Sequence, residues 1–299
     1  MGKDIVSMLK ESYPGLKIQK TLGEGAFSEA YLFKDNSGLK KVLKLTNASA
    51  AMQSAEAESS FRMTKERIGG EWLALLDYSP EVVRTEKALC FDHNEKRFML
   101  MEKAAVKNLY HNPEKREGKV YTLVGTISDY MEGSKELTDK IGKTPPMKLD
   151  EIRFIAKQIL QGVQSIHEKG GKGRTLAHRD LKPANILIED QNRIKIIDFG
   201  FARVENWSKL QRRPSFVGSD NFMAPEIVRA EFYDEKVDAY SIGATLYQMA
   251  TKKVLKDRSQ IATSRIDESL KDLVLNLTSQ NSRERLSPKE ALKHPFFTA

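Results

Sequence analysis

The sequence contains a single cysteine, Cys90, so no disulfide can form within the chain. A lone thiol is typical of proteins kept in a reducing compartment, which predicts a cytoplasmic or otherwise intracellular location. No cysteine and histidine residues have the spacing of a zinc site, and no apolar run approaches the roughly 20 residues of a membrane span. No secretory signal peptide is visible. Val6 occupies the position where an N-myristoylation pattern requires Ser or Thr. We therefore expect neither a disulfide framework nor a membrane span.

The sequence also lacks a clustered aromatic and basic motif of the kind that binds nucleic acid. Its formal net charge is +8 over 299 residues. Such a charge is compatible with an acidic partner, but without a motif we expect it to lie on a solvated surface, with no nucleic-acid partner. The length accommodates one two-lobed domain or two ordinary ones.

The most informative stretch places charged and amide side chains between two apolar runs that are typical of strands. Residues 177–185 read Ala-His-Arg-Asp-Leu-Lys-Pro-Ala-Asn, and residues 198–200 read Asp-Phe-Gly. Asp180 can accept a proton from a hydroxyl nucleophile, and Lys182 can neutralise charge on a phosphoryl group in transfer. These residue types predict phosphoryl transfer to a hydroxyl.

Two further side chains of this stretch suit a divalent cation. Asn185 and Asp198 offer the hard oxygen ligands that Mg²⁺ prefers and usually shares with phosphates. The predicted metal ligands are therefore an amide and a carboxylate, one on each side of an apolar strand.

This string resembles the catalytic core of eukaryotic-type protein kinases, and the Lys182-Pro183 pair resembles their serine/threonine branch. The resemblance covers about residues 15–297. It implies an α+β, bilobal fold: a small antiparallel β-sheet lobe with a helix αC, and a larger, mainly helical lobe. It also implies ATP and Mg²⁺ as cofactors and a protein substrate with a Ser or Thr acceptor, with Asp180 as the catalytic base. The alternative is a nucleotide-binding pseudokinase or scaffold, whose marker would be a missing catalytic group, and none is missing.

The resemblance also predicts the boundaries of the lobes. We expect an N-terminal extension over residues 1–14, a small lobe over about 15–101, a hinge over about 102–104 and a large lobe over about 105–299. Residues 105–122 are expected to form an exposed insert, which is either a site for a regulator or partner protein or a tolerated loop.

Nucleotide contacts are expected mostly in the small lobe. A glycine-rich segment, residues 22–28, lies between two strand-like runs, and its glycines let backbone N–H groups approach phosphate. The resemblance implies that Lys44 contacts the α- and β-phosphates, that Met101 is the gatekeeper, and that the backbone of Glu102 and Ala104 binds adenine. Lys40 and Lys41 are expected to be solvated. The predicted nucleotide-binding residues are Leu22, Gly23, Glu24, Gly25, Ala30, Val42, Lys44, Met101, Glu102, Ala104 and Leu187.

Structural and regulatory roles are also implied by the resemblance. The helix αC glutamate that pairs with Lys44 is assigned to Glu71, with Glu66 as the alternative. Arg179 is expected to bind a phosphate on Ser215, which would order the activation segment. The remaining expectations are that Ser219 bridges Asp180 and Lys182, that Asp238 supports the catalytic backbone, and that Arg285 pairs with Glu226.

Hydrophobic periodicity predicts the helices of the large lobe. Apolar residues at three- and four-residue spacing predict a helix over 150–167, and an apolar run predicts another over 237–251. The resemblance to protein kinases also implies a helix over 126–141 and apolar packing roles for His178 and Phe199.

Overall fold

The structure, a computed structural model, describes residues 17–25, 28–46, 78–92, 94–95, 97–105, 121–143, 145–171, 173–205 and 218–298. The chain divides into two compact units. The first comprises Met1–Asp77 and Val83–Glu132, and the second comprises Tyr78–Val82 and Gly133–Ala299. Within the described ranges, no helix combines the length and the apolar character that crossing a bilayer requires.

The first unit contains an antiparallel sheet of six strands in the order β1-β2-β3-β6-β4-β5. The strands are β1 (Lys17–Gly25), β2 (Ser28–Lys34), β3 (Lys40–Thr46), β4 (Thr85–Asp92), β5 (Arg97–Glu102) and β6 (Tyr121–Asp129). Strands β1 and β2 agree with the two strand-like runs expected on either side of the glycine-rich segment.

Alternation of side chains gives this sheet one strongly apolar face. In β3, Leu43 and Leu45 are buried, whereas Val42 and Lys44, which alternate with them along the strand, are half-buried. Successive residues of a strand point to opposite faces, so the buried set lies on one side. It forms a core cluster of Tyr31, Phe33, Leu43, Leu45, Leu89, Val124 and Ile127.

Strand β6 corrects two predictions. Residues 121–129 form a strand, not the start of a helix over 126–141, and the helix in this region covers only Leu137–Gly142. The hinge predicted at 102–104 is also wrong, because after β5 the chain returns to the sheet and inserts β6 between β3 and β4. The chain leaves the first unit at Glu132, so the small lobe extends about thirty residues further than the predicted boundary at 101. The expected insert at 105–122 overlaps the start of β6, and its residues 106–120 lie outside the described ranges.

A glycine allows β6 to lie against β3. A Cβ atom at Gly125 would stand 2.6 Å from the carbonyl oxygen of Lys44 and 3.1 Å from Leu45 Cδ2. Real Cβ atoms do not approach a backbone oxygen so closely. A side chain here would therefore push β6 away from the strand that carries Lys44.

The second unit is mainly helical. Its helices are α1 (Leu137–Gly142), α2 (Leu149–His167), α3 (Pro225–Val228), α4 (Lys236–Thr251), α5 (Ser259–Thr263), α6 (Glu268–Leu277) and α7 (Pro288–Ala291). Its short strands are β7 (Lys135–Glu136), β8 (Thr175–Ala177), β9 (Ile186–Ile188), β10 (Ile194–Ile196) and β11 (Arg203–Glu205). They form a three-stranded sheet, β10-β9-β7, and a two-stranded sheet, β11-β8.

The helices at the centre of this unit follow from sequence periodicity. Helix α2 buries one apolar stripe that includes Ile155, Ile159 and Val163, as the spacing predicts. Helix α4 is buried around most of its circumference and packs against α2 and α6. The observed bounds of both helices lie within one residue of those predicted.

A buried ion pair anchors helix α3 to the chain after α6. Arg285 donates to both carboxylate oxygens of Glu226, at 2.6 and 3.0 Å, and its side chain has no exposed surface. The guanidinium also donates to the carbonyl oxygens of Ser279 and Lys236, and it lies 5.2 Å from the ring centroid of Tyr240. The predicted pair is present, and the guanidinium is hydrogen-bonded to carbonyl oxygens as well as to the carboxylate.

Replacing Arg285 with Ala should lower the free energy of unfolding by about 3–5 kcal/mol, because the Glu226 carboxylate would stay buried without its partner. The measurement is urea unfolding followed by circular dichroism. The matched control is Arg229→Ala, which breaks the half-exposed pair with Glu231 and should cost less than about 1 kcal/mol. Equal losses in the two variants would contradict this account.

Candidate active site

The candidate catalytic residues lie where the strands of the second unit end. Strand β8 ends at Ala177 and leads into the catalytic segment, residues 178–185. The segment closes in a 3₁₀ turn, Pro183–Asn185, and the hairpin β9–β10 follows. The backbone N–H of Ile197 donates to the carbonyl oxygen of Asn185 at 2.9 Å. This bond fixes Asn185 close in space to the residue that precedes Asp198.

A compact cluster surrounds the carboxylate of Asp180. The hydroxyl of Ser219 donates to Asp180 Oδ1 at 2.8 Å and accepts a bond from Lys182 Nζ at 2.6 Å. Lys182 Nζ also lies 3.1 Å from Asp180 Oδ2. Asn185 Nδ2 donates to the backbone carbonyl of Asp180 at 2.7 Å and to its Oδ2 at 2.9 Å. Both carboxylate oxygens are therefore oriented, and the predicted bridge through Ser219 is present.

A glycine brings Ser219 to this cluster. Gly218 has φ +125°, and a Cβ atom there would lie 2.9 Å from Met223 Cγ and 3.0 Å from the carbonyl oxygen of Arg179. An L-residue rarely adopts this backbone conformation. Residue 218 must therefore be glycine for the chain to approach the catalytic segment this closely.

The backbone of the catalytic segment is held by Asp238, in the first turn of α4. Its carboxylate accepts the backbone N–H groups of His178 and Arg179, both at 2.8 Å, and lies 2.9 Å from His167 Nε2. Asp238 has no exposed surface. Burial alone would raise the pKa of this carboxyl, but the hydrogen bond and charge of His167, with the bond from the His178 N–H, hold the pKa below its ordinary value. The carboxylate therefore stays charged and accepts from the loop, as expected.

Two residues of the site have strained backbone. Arg179 and Asp198 both have φ +66°, a left-handed conformation that costs L-residues roughly 1–3 kcal/mol. Hydrogen bonds hold each in place: Arg179 N–H bonds to Asp238, and the N–H of Gly200 donates to Asp198 Oδ1 at 3.0 Å. Such strain persists only where its surroundings determine it, and it concentrates at functional sites.

Arg179 has a buried guanidinium. Its Nε donates to the carbonyl oxygen of Phe201 at 2.7 Å, and its Nη1 donates to the hydroxyl of Tyr233 at 3.0 Å. Ser215, the predicted partner through a phosphate, lies outside the described residues. The regulatory role of Arg179 therefore stays a prediction.

His178 and Phe199 pack as expected. Both are buried, and their ring centroids lie 5.1 Å apart. The ring of Tyr78 stacks on that of Phe199, with the two ring centroids 5.1 Å apart. His178 Nε2 lies 3.1 Å from the carbonyl oxygen of Ile197. The imidazole therefore supports the segment between Asn185 and Asp198 structurally.

In the first unit, the predicted phosphate lysine lies on the less apolar face of the sheet. Lys44 is paired in register with Ala30 on β2 and with Thr126 on β6. Val42, two residues earlier, is paired with Ser128. Register partners project to the same face, so these side chains form one patch. Gly23 pairs with Ala30 and Gly25 with Ser28, which places the glycine-rich segment at the end of the same ladder.

Met101, Glu102 and Ala104 are not beside Lys44. Met101 lies on β5, the strand at the end of the sheet order, and pairs with Ala88 of β4. Three strand spacings separate β5 from β3, about 14 Å. Met101 is therefore not the gatekeeper beside Lys44. The residues that lie beside Lys44 and Val42 are instead Thr126 and Ser128 of β6. Leu187 lies in the middle of β9, half-buried. Glu71 and its alternative Glu66 lie outside the described residues.

The sequence reasoning missed several residues that shape the site. These are His167 and Tyr233, which contact Asp238 and Arg179, Gly218, and the β6 pair Thr126 and Ser128. The signal for β6 was available, because Leu-Val-Gly-Thr-Ile at 123–127 is typical of a strand and a Glu-Gly-Ser turn follows it. For His167 and Tyr233 the local sequence gives no comparable signal.

Comparison with known proteins gives the family. The protein kinase domain family matches residues 116–297, more than half of the chain. The chain belongs to the protein kinase family. This confirms the predicted resemblance and the α+β fold that it implied.

Relatives of this kinase chain are named serine/threonine-protein kinases. It is 31% identical to serine/threonine-protein kinase unc-51 of Caenorhabditis elegans over 60% of this chain and 23% of that protein. It is 25% identical to serine/threonine-protein kinase cds1 of Schizosaccharomyces pombe over 97% of this chain and 60% of that protein. It is 30% identical to human serine/threonine-protein kinase ULK1 over 60% of this chain and 18% of that protein. The chain thus spans less than two thirds of the length of these relatives.

Because of the hydrogen bonds to Asp238, the free energy of unfolding of this kinase chain should fall at acidic pH. Because the folded-state pKa of Asp238 is depressed, its stabilisation is complete above the unfolded-state pKa, about 3.9. It is lost as pH falls through the folded-state pKa. Asp238→Asn should lose roughly 2–3 kcal/mol of unfolding free energy at pH 7, and the difference should shrink only below about pH 4. Urea titrations at several pH values measure it. Asp190→Asn removes an exposed carboxylate and should change stability by less than about 0.5 kcal/mol.

Gly218→Ala should destabilise the protein by roughly 1–3 kcal/mol, because the methyl group meets both a strained φ and the Arg179 carbonyl. Thermal unfolding measures the loss. Gly142→Ala is the matched control: a Cβ atom there meets nothing within 4 Å. If Gly218→Ala melts like the control, the close approach that we describe does not constrain the site.

Proposed function

We propose that this protein is an ATP- and Mg²⁺-dependent serine/threonine protein kinase. The observation that carries the proposal is the cluster at Asp180, where a hydroxyl group, an ammonium group and an amide converge on one carboxylate. The kinase family membership and the names of the relatives support the same reaction. The whole protein's substrates and partners are part of the proposal.

The chain's own groups supply the proton chemistry. Asp180 accepts the proton of the acceptor hydroxyl, whose oxygen forms a bond to the γ-phosphorus of ATP while the bond from that phosphorus to the β–γ bridging oxygen breaks. ADP leaves with the electron pair of that bond. Asn185 holds Asp180 Oδ2, which leaves Oδ1 as the oxygen directed at a hydroxyl. Lys182 Nζ lies within hydrogen-bonding distance of the Ser219 hydroxyl oxygen, beside Asp180. From this position its ammonium group can neutralise charge on a phosphoryl group that is being transferred to a hydroxyl.

The donor set fits a magnesium ion that is shared with phosphates. In the described part of the chain, no cluster of three or more His, Cys, Asp or Glu side chains could hold a metal alone. One carboxylate and one amide oxygen, Asp198 and Asn185, match the partial ligand set of a cation that takes its other ligands from nucleotide and water. Bound Mg²⁺ would neutralise the negative charge of the β- and γ-phosphates.

Nucleotide binding by the first unit is proposed with one revision. Lys44 and the glycine-rich segment keep their proposed roles toward the phosphates, and Val42 and Ala30 lie on the same face. The backbone contacts to adenine move from Glu102 and Ala104 to the residues that follow β6, because the chain leaves the sheet there.

The acceptor is proposed to be a protein Ser or Thr. Ser219 shows that the Asp180 and Lys182 pair accommodates an aliphatic hydroxyl. Phosphorylation of Ser215, recognised by Arg179, and a partner site at residues 105–122 remain proposals.

The intracellular location also remains a proposal. Cys90 is a buried thiol whose pKa burial raises to about 12, which makes it unreactive.

Asp180→Asn should reduce phosphoryl transfer by about 100-fold or more, because the general base is lost while the shape is kept. Transfer of ³²P from labelled ATP with Mg²⁺ to dephosphorylated casein measures it, and nucleotide affinity should change less than about threefold. Phosphoamino-acid analysis should find phosphoserine or phosphothreonine.

Asp190→Asn serves as the exposed control and should transfer as the unaltered protein does. Full transfer by Asp180→Asn would rule out Asp180 as the base. An unaltered protein that binds ATP yet transfers nothing would favour the pseudokinase alternative.

A further inference from the structure

The segment by which the chain leaves the sheet is unusually rich in ionic contacts. Residues 129–132, Asp-Tyr-Met-Glu, begin with the last residue of β6 and precede Gly133, where the second unit resumes. We call them the connector. The prediction that Lys41 is solvated is wrong, because its side chain is buried. Lys40 is partly exposed, as predicted, and its ammonium group pairs with the exposed Glu132.

Lys41 holds one side of the connector. Its Nζ lies 2.7 Å from Asp129 Oδ1 and 2.8 Å from Glu86 Oε2. Only 10% of the Lys41 side chain is exposed, whereas the side chains of Asp129 and Glu86 are 43% and 25% exposed. Burial alone would lower the pKa of Lys41, but the bonds to Asp129 and Glu86 raise it above its ordinary value. The ammonium group therefore stays charged between two carboxylates.

The sequence positions of these carboxylates explain the geometry. Asp129 is the register partner of Lys41 across the β3–β6 pair, so opposite charges stand side by side. Glu86 lies at an irregularity in the β4–β6 register, between Thr85 and Lys87. Such an extra residue redirects a side chain, here toward Lys41.

Lys40 holds the connector from the other side. Its ammonium group pairs with Glu132 and lies 5.9 Å from the ring centroid of Tyr130. Neighbouring residues of a strand point to opposite faces, so Lys40 and Lys41 reach the connector from both faces of the sheet. The backbone N–H of Asp129 also donates to the carbonyl oxygen of Arg84 at 3.2 Å.

We propose that Lys41, assisted by Lys40, clamps the connector to β3 and is a positioning residue for nucleotide binding. The nucleotide role rests on the proposed function. Strand β3 carries Lys44 on the face that it shares with Val42, and Lys41 fixes the segment whose backbone would meet adenine. Strand β3 thereby sets the distance between the connector backbone, which would bind the purine, and Lys44, which would bind the phosphates. All of these groups belong to the first unit.

Amide hydrogen exchange tests the clamp without reference to catalysis. Lys41→Met keeps most of the apolar stem and removes the charge, and it should speed exchange at Tyr130–Gly133 at least fivefold while leaving β2 unchanged. Lys41→Arg should restore slow exchange. Lys87→Met is the matched control: it breaks the Lys87–Glu102 pair on the same sheet, which does not touch the connector. Exchange at Tyr130–Gly133 that is equal in Lys41→Met and the unaltered protein would overturn the clamp.

Calorimetric titration with the Mg²⁺ complex of a non-hydrolysable ATP analogue, and with adenosine, tests positioning. Lys41→Met should weaken both ligands about five- to tenfold and raise the KM for ATP by a similar factor, with kcat within twofold. Lys41→Arg and Lys87→Met should bind within about twofold of the unaltered protein. Faster exchange with undiminished nucleotide affinity would overturn the positioning role.

The two proposals fail separately. If the unaltered protein binds no nucleotide, the proposed function fails and the nucleotide role of Lys41 fails with it, while hydrogen exchange still decides whether the clamp exists. Should Lys41→Met not fold, Asp129→Asn and Glu86→Gln replace it. The first should loosen the connector, and the second, which breaks only the bond to β4, should loosen it less. Equal exchange in both would contradict a clamp centred on Asp129.

Discussion

The carboxylate of Asp238 holds the catalytic segment in a backbone conformation that it would not adopt alone. Arg179 is left-handed, and its N–H would have no helix or sheet partner if Asp238 did not accept it. Because Asp238 is fully buried, the two N–H groups and His167 take the place of water around its carboxylate. A rigid helix, α4, thus supplies a charge that fixes a loop, and the loop in turn presents Asp180 and Asn185. The strain at Arg179 is offset by bonds from outside the segment, as expected for a site built to hold one geometry.

The site is also contacted by the segment that contains Gly218 and Ser219. Gly218 allows the backbone to approach Arg179, and Ser219 then completes the bonding of Asp180 and Lys182. Further along, Glu226 is fixed by Arg285, which itself is held by carbonyl oxygens of Ser279 and Lys236. Both buried carboxylates, Asp238 and Glu226, therefore fix neighbouring segments through charge-assisted bonds. Asp238 accepts backbone N–H groups of the catalytic segment, whereas Glu226 holds the Arg285 side chain.

Sequence alone predicted the parts in which chemistry is local. Helix α2 follows from its apolar spacing, and the residues around Asp180 follow from a contiguous string whose members act within a few residues of one another. The order of strands in the first unit could not be predicted in the same way. Strand β6 inserts between β3 and β4, and nothing in the local pattern of 121–129 states which strands it joins. Placing the hinge at 102–104 relied on a short match, which the return of the chain into the sheet as β6 contradicts.

Lys41 shows how such an error spreads to individual residues. Its position in β3 has the same parity as Leu43 and Leu45, so the strand pattern alone places it on the core side. A lysine there is tolerable only if carboxylates meet it, and those belong to β4 and to the end of β6. With residues 126–141 taken as a helix, Asp129 had no place beside β3, and Lys41 was expected to be solvated. Once β6 is a strand, the same parity argument requires a carboxylate partner for the buried Lys41, and Asp129 is the residue in register to supply it. The burial of one charged side chain is therefore a sensitive test of strand order, because a buried ammonium group without partners would be too costly to persist.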